Sequence, residues 1–477
     1  PTASHDDAVT RTAAPGSAGS TSDPDGGDPA EPVPIPGAGP AGSAEHAPGA
    51  APGKMLTRGH DRAVASVRRM IAGRVPHAIL VSGPAGIGKT TLALDLAAGL
   101  LCDDPTPAAR PCRACRSCRL VARNRHPDVH RLAPSGPGDQ IRIGTRDRPE
   151  DGTVRRLASD LVLMAVEGGA RIAIIERADR LTDDAQTALL KTLEEPPAGV
   201  TIILCADDED RLLPTVRSRS ARIRLGPVAT REIEAILSDA GVAEPPIAAR
   251  LARIASGRPG TARTLARAPD AVSARDEIAR SLLDLLAAPT AARLAAAREL
   301  TTRATAFARA FDRGAALADG ADGADGTGVE PTKRGRVRTK GPAATDLPAH
   351  AATAITPRPP SGDEEGAEDG DTAEDAGAGK TSVPAAERRR AASVLVGLWR
   401  ELARDLLVVA LGEERQVRDP ALLDDLRVAA ASLGASGASL GAFLGRLDRA
   451  GELLEANVRP ELVLDTLLLR WPRAATP

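Results

Sequence analysis

Aromatic residues are almost missing from this chain of 477 residues, which has no tyrosine, three phenylalanines and two tryptophans. Its cores must therefore be filled by Leu, Val, Ile and Ala, and stacking of bases on aromatic platforms is excluded as a main grip on nucleic acid. Net charge is missing too, at a formal −2, so attraction to a polyanion has to come from a local patch. No uncharged apolar stretch approaches the roughly 20 residues of a membrane span. Residues 1–53 lack the basic-then-apolar order of a signal peptide. These absences point to a cytoplasmic protein with no membrane contact. Cysteine is scarce, but four of the five cysteines fall within seventeen residues, which in a reducing compartment favours a metal site over disulfides.

The most informative stretch runs from Gly83 through Gly86, Gly88, Lys89, Thr90 and Thr91. It follows the apolar run Ala78–Val81 and leads into the helical pattern Leu92–Ala98. Strand, glycine loop and helix make a phosphate cradle: backbone N–H groups converge on the phosphates, Lys89 reaches the terminal ones and the Thr90 hydroxyl can ligate Mg²⁺. ATP with Mg²⁺ is the ligand this pattern suggests.

Directly after that helix stand Cys102, Cys112, Cys115 and Cys118. Four thiolates with no vacant position suit a tetrahedral structural Zn²⁺ site, whereas a redox-active pair needs only two. Arg110, Arg113, Arg116, Arg119, Arg123 and Arg125 surround them, as a contact for nucleic acid or an acidic partner or as a solvated face. Cys205 ends the apolar strand 201–204 and reads as a core thiol.

Leu157, Leu161, Met164 and Ala165 form a helical stripe before the strand Arg171–Ile175, which ends at Glu176-Arg177-Ala178-Asp179. In P-loop NTPases the carboxylate closing such a strand holds Mg²⁺ and the next acid polarises the attacking water. Glu176 can do the first job. Arg177, a cation, cannot do the second, so hydrolysis is not expected. Asp179 reads as a capping or surface carboxylate. Thr182 opens a further helix that Pro196-Pro197 stops, and strands alternating with helices imply a parallel, helix-covered sheet.

At these residues the chain resembles the clamp-loader subunits of bacterial DNA polymerase III, within the AAA+ ATPases. The resemblance rests on His77-Ala78, the four-cysteine insertion, Ala188 through Pro197, and Ser218-Arg219-Ser220, over about residues 55–266. It implies an α/β AAA+ P-loop domain with a parallel sheet and a zinc insertion, a small helical lid and an all-α C-terminal collar. Arg177, Ala206 and Gly260 stand where an active tau/gamma ATPase would carry an acid, a polar sensor and a sensing arginine. These departures resemble the delta-prime branch, which offers an arginine finger, here Arg219, to ATP on an adjacent tau/gamma subunit. The implied partners are tau/gamma and delta in a hetero-pentamer, the sliding clamp and primer-template DNA. Little or no ATPase is expected of the isolated chain. The alternative is an active ATPase of the tau/gamma kind, against which the chain's end at residue 477 is read as lacking a long polymerase-binding tail.

The expected organisation is a disordered arm at 1–53, the AAA+ domain at 54–226 with its zinc module at 102–118, and a lid at 227–267. Collar helices are expected at 268–313 and 386–475. Between them, 314–385 carries Ala-Asp-Gly repeats, a basic cluster from Lys333 to Lys340 and eight acidic residues between Asp363 and Asp375. That composition reads as a disordered insertion.

Overall fold

The computed structural model describes residues 52–135, 139–145, 150–167, 169–322, 384–433 and 437–474. Residues 1–51 of the expected arm and 323–383 of the expected insertion lie outside this set. Gly53 and Lys54 are already tied down: their N–H groups donate to Ala108 O and Pro111 O, each at 2.9 Å.

The first part of the chain builds one sheet between two layers of helices. In chain order it contains α1 (Asp61–Ala72), β1 (Ala78–Ser82), α2 (Lys89–Leu100), α3 (Arg116–Ala122), β2 (Val129–Leu132), α4 (Val154–Val162) and β3 (Arg171–Ile175). Then come α5 (Asp183–Glu194), β4 (Val200–Ala206), α6 (Pro214–Ser218) and β5 (Ala221–Arg224). The five strands lie in the order β2-β3-β4-β1-β5, and every neighbouring pair is parallel, with Ile79 opposite Ile203 and Ile174 also opposite Ile203 from the other side. β1, β3 and β4 are buried along their whole length, as strands covered on both faces must be, which is why they read as unbroken apolar runs. Val67, Ile71, Leu92 and Leu96 cover one face; Leu157, Leu161, Leu189 and Leu193 cover the other. Each such side chain contributes roughly 1.5–3 kcal/mol on burial.

Two features depart from the expected pattern. β2 is an additional strand at the sheet's edge; its four residues include His130 and Arg131 and are mostly half-exposed, so no apolar run marks it. α4 stops at Val162, leaving Met164 90% exposed rather than on an inward stripe. The cause is competition for the backbone beyond it. The Arg171 guanidinium takes the carbonyls of Asp160 and Met164, and the buried Asp128 carboxylate accepts the N–H groups of Val166 (2.6 Å) and Glu167 (2.8 Å).

The helical remainder comprises α7 (Thr230–Asp239), α8 (Pro245–Ile254) and α9 (Pro259–Ala266), followed by α10 (Pro269–Asp284), α11 (Thr290–Asp322), α12 (Ala385–Ala410), α13 (Leu423–Leu433), α14 (Gly437–Glu455) and α15 (Pro460–Arg470). Proline opens α8, α9, α10 and α15, where its missing N–H costs nothing. α11 runs nine residues beyond 313, through a stretch expected to be insertion, and Gly314 packs closely there: a Cβ on it would lie 2.6 Å from Thr264 O and 2.8 Å from Ala268 Cβ. Lid and collar share one apolar core, which includes Ile233, Leu251, Ile278, Leu282, Trp399 and Phe443. A buried ion cluster crosses the same seam. Arg250 of α8 donates to Asp276 (2.7 and 2.8 Å) and Asp419 (2.9 and 3.0 Å), and Arg275 of α10 donates to Asp419 at 2.7 Å. No single helix among the described residues is long and apolar enough to cross a membrane.

Candidate functional site

The glycine loop joins β1 to α2 at the C-terminal edge of the parallel sheet, where open α/β sheets bind ligands. Gly86 has φ of 76°, a left-handed conformation that glycine adopts without penalty. Lys89, the first residue of α2, is only 7% exposed and folds back over the loop. Its ammonium donates to Gly83 O (2.6 Å), Pro84 O (2.9 Å) and the carboxylate of Asp207 (2.6 Å). Thr90 and Thr91 follow it in the first turn of α2.

Glu176 sits past the end of β3, but its carboxylate is held by Arg131 of β2, with one bond at 2.6 Å from Nε. Arg177 turns the backbone through a left-handed φ of 50°, pairs with Asp139 at 2.5 Å and stands 3.9 Å from Asp207. Asp179 is buried rather than a cap or surface group: it accepts the backbone N–H of Asp207 at 2.7 Å. These charges crowd around Cys205, whose thiol is pushed up to about 12, chiefly by burial and then by Glu176, while Lys89 and Arg131 pull the other way. Asp207 escaped the sequence reading because nothing in the pattern links it to a lysine 118 positions earlier.

The lid closes directly on the loop. The N–H of Gly260, in the first turn of α9, donates to Gly86 O at 2.8 Å. A Cβ on Gly260 would lie 2.9 Å from Gly86 O, and one on Gly86 would lie 2.6 Å from Thr261 Oγ1. Beside this contact a cleft of about 470 Å³ opens between the loop, α9, α11 and α12, with Thr91, Arg258, Phe311 and Glu401 on its walls.

Arg219 caps α6 and is exposed. Its partners are Glu194 at 2.8 Å, Thr215 O at 3.2 Å and Ser218 Oγ at 3.5 Å. None belongs to the loop at 83–91.

Cys102, Cys112, Cys115 and Cys118 converge, all four sulfurs lying within 4.8 Å of one another, and none is in a disulfide. Tetrahedral zinc with bonds near 2.3 Å requires sulfurs about 3.8 Å apart, so the set fits a metal ion. The N–H groups of Cys112, Cys115 and Cys118 donate to the sulfurs of Cys102 (3.4 Å), Cys112 (3.3 Å) and Cys115 (3.4 Å), an arrangement that favours thiolates. Burial pushes the Cys112 thiol up, but the N–H groups of Ala114 and Cys115 and the adjacent thiols outweigh it and leave it at about 7. Cys118 and Cys102 are pushed up by burial. Several of the surrounding arginines make contacts within the chain. Arg113 pairs with buried Asp95 of α2, Arg116 with Glu167, and Arg110 Nε donates to Asp104 O at 2.6 Å. Asp95 also accepts the N–H groups of Leu56 (3.0 Å) and Thr57 (2.8 Å), so one carboxylate ties the module to α2 and to the chain ahead of α1.

Comparison with known proteins adds a similarity to this geometry. A family profile described as DNA polymerase III, delta subunit, matches residues 59–229. DNA polymerase III subunit delta' of Pseudomonas aeruginosa is 41% identical over 143 residues, 30% of this chain and 41% of that protein. The Escherichia coli subunit delta' is 34% identical over 212 residues, covering 44% of this chain and 60% of its own length. Subunit tau of Salmonella typhimurium is 34% identical over 190 residues, 39% of this chain and 28% of that protein. The chain thus spans less than two thirds of each of these relatives. Residues 59–229 are thus similar to the family described as DNA polymerase III, delta subunit, and parts of the chain are 34–41% identical to relatives named subunit delta'.

Proposed function

We propose that this chain is a delta-prime-type subunit of a cytoplasmic clamp loader, working in a hetero-pentamer with tau/gamma and delta to place the sliding clamp on primer-template DNA. In this reading it does not hydrolyse ATP itself. Arg219 reaches the γ-phosphate of ATP on an adjacent tau/gamma subunit, and the four cysteines hold a structural Zn²⁺. The observation that carries the reading is an asymmetry. Arg219 is exposed and serves nothing in its own glycine loop, while the loop's own acid, Glu176, is committed to Arg131 and the next residue is a cation. A guanidinium stabilises charge that develops only in the transition state, and such fingers are worth about 10³–10⁵ in rate.

The test is the steady-state ATPase of a loader reconstituted from this chain with tau/gamma and delta, on clamp and primed DNA. Arg219→Ala is expected to lower turnover at the adjacent site by about 10³-fold or more. A second reading, an active ATPase of the tau/gamma kind, is favoured by the complete glycine loop and the similarity to subunit tau. ATP turnover by the isolated chain, abolished by Lys89→Ala and indifferent to Arg219→Ala, would put that reading in place of the first.

A further inference from the structure

The phosphate cradle already contains an anion. Asp207, one residue past β4, places a carboxylate oxygen 2.6 Å from the Lys89 ammonium, the distance of a charge-assisted bond to a phosphate oxygen. Its other oxygen faces Arg177 at 3.9 Å, so the carboxylate lies between two cations. The group is held there. Asp179, itself buried, grips the Asp207 backbone N–H at 2.7 Å, and the Gly83 N–H donates to Ala206 O at 3.2 Å, fixing the end of β4 against the start of the loop. Lys89 is almost fully buried, and a buried ammonium needs a counter-charge; in this fold Asp207 supplies it.

We propose that Asp207 is an internal occupant of the terminal-phosphate subsite, which neutralises Lys89 and weakens binding of nucleoside triphosphates to this chain's own loop. An incoming polyphosphate must displace the carboxylate from Lys89 while bringing further negative charge beside it. Like charges within a few ångströms in a partly buried site oppose each other strongly. The attraction that a free P-loop lysine would offer is therefore spent within the chain. This inference rests on reading residues 83–91 as a phosphate cradle and is independent of the partners assigned above.

The experiment is a fluorescence titration of the full chain with mant-ATP in Mg²⁺, comparing wild type with Asp207→Asn, Asp207→Ala and Asp207→Ala/Lys89→Ala. Asp207→Asn keeps the shape and removes only the charge, so it serves where the alanine variant fails to fold. Both single variants are expected to bind at least tenfold more tightly than wild type, and the double variant is expected to lose that gain. Equal or weaker binding by the Asp207 variants, with wild type binding measurably, overturns the proposal and makes Asp207 a structural residue or a Mg²⁺ ligand. Binding by none of the four proteins overturns the cradle reading and the proposal with it. The clamp-loader assignment is read separately, from assembly with tau/gamma and delta.

Discussion

Gly260 is the point at which α9 meets the glycine loop, and its neighbours explain why it has no side chain. With no side chain, the first turn of α9 descends until its N–H meets Gly86 O at 2.8 Å. Gly260→Ala would set a methyl 2.9 Å from that same carbonyl, against backbone that cannot swing aside. The expected result is a loss of about 1–3 kcal/mol in unfolding free energy, measured by chemical denaturation; an unchanged midpoint would mean the seam is looser than described. Arginine at 260 meets the same obstacle in larger form. The loop and lid would have to part first.

At the scale of elements, the cysteine module is the part with its own test. Its fold is a short loop and α3, whose N-cap is Cys115, and little apolar surface holds it beyond Cys102, Cys118 and Val121. The expected metal content of the purified chain is one zinc per molecule by elemental analysis. Cys112→Ser is expected to lose that metal and to lower the thermal midpoint, since structural zinc sites contribute directly to folding. A metal-free wild-type chain of undiminished stability would remove zinc from the account.

Much of this level was legible in the sequence. The strand, glycine loop and helix, the Thr182 cap that accepts the Ala185 N–H at 3.3 Å, and the nearness of the cysteines are all local patterns. What escaped was non-local or polar. β2 is an edge strand with polar residues at half its positions; α4 ends where Arg171 and Asp128 capture its continuing backbone; Asp179 reads as a surface acid until the strand order sets it beneath Asp207. Periodicity records which face is apolar, not which distant charge arrives beside it.

At the scale of the whole molecule, the lid is joined to the collar more intimately than to the sheet. One continuous apolar core and the Arg250–Asp276–Asp419–Arg275 cluster span α8, α10 and the turn before α13. The lid is therefore expected to move with the collar as one body. Asp419→Ala would leave two guanidiniums without their shared carboxylate, and breaking a buried pair in this way costs about 3–5 kcal/mol, to be read from the unfolding midpoint. Burial alone would raise the Asp419 carboxyl, but Arg250 and Arg275 outweigh it and hold it below the ordinary range. Its contribution to stability is thus fully present at neutral pH and is lost only as pH falls below about 4. A pH titration of the midpoint, flatter in Asp419→Ala than in wild type under acid, checks the sign.

The chain's few aromatic rings all fall between residues 307 and 471. Trp399, Phe443 and Trp471 meet in a single cluster with ring centres 4.8–5.4 Å apart, and Phe307 and Phe311 stack nearby in sequence on α11 at 5.8 Å. The sheet domain carries no intrinsic chromophore at all. Native ultraviolet fluorescence is consequently a signal from the collar alone, and a tryptophan engineered into the sheet domain would light a region that is otherwise optically silent.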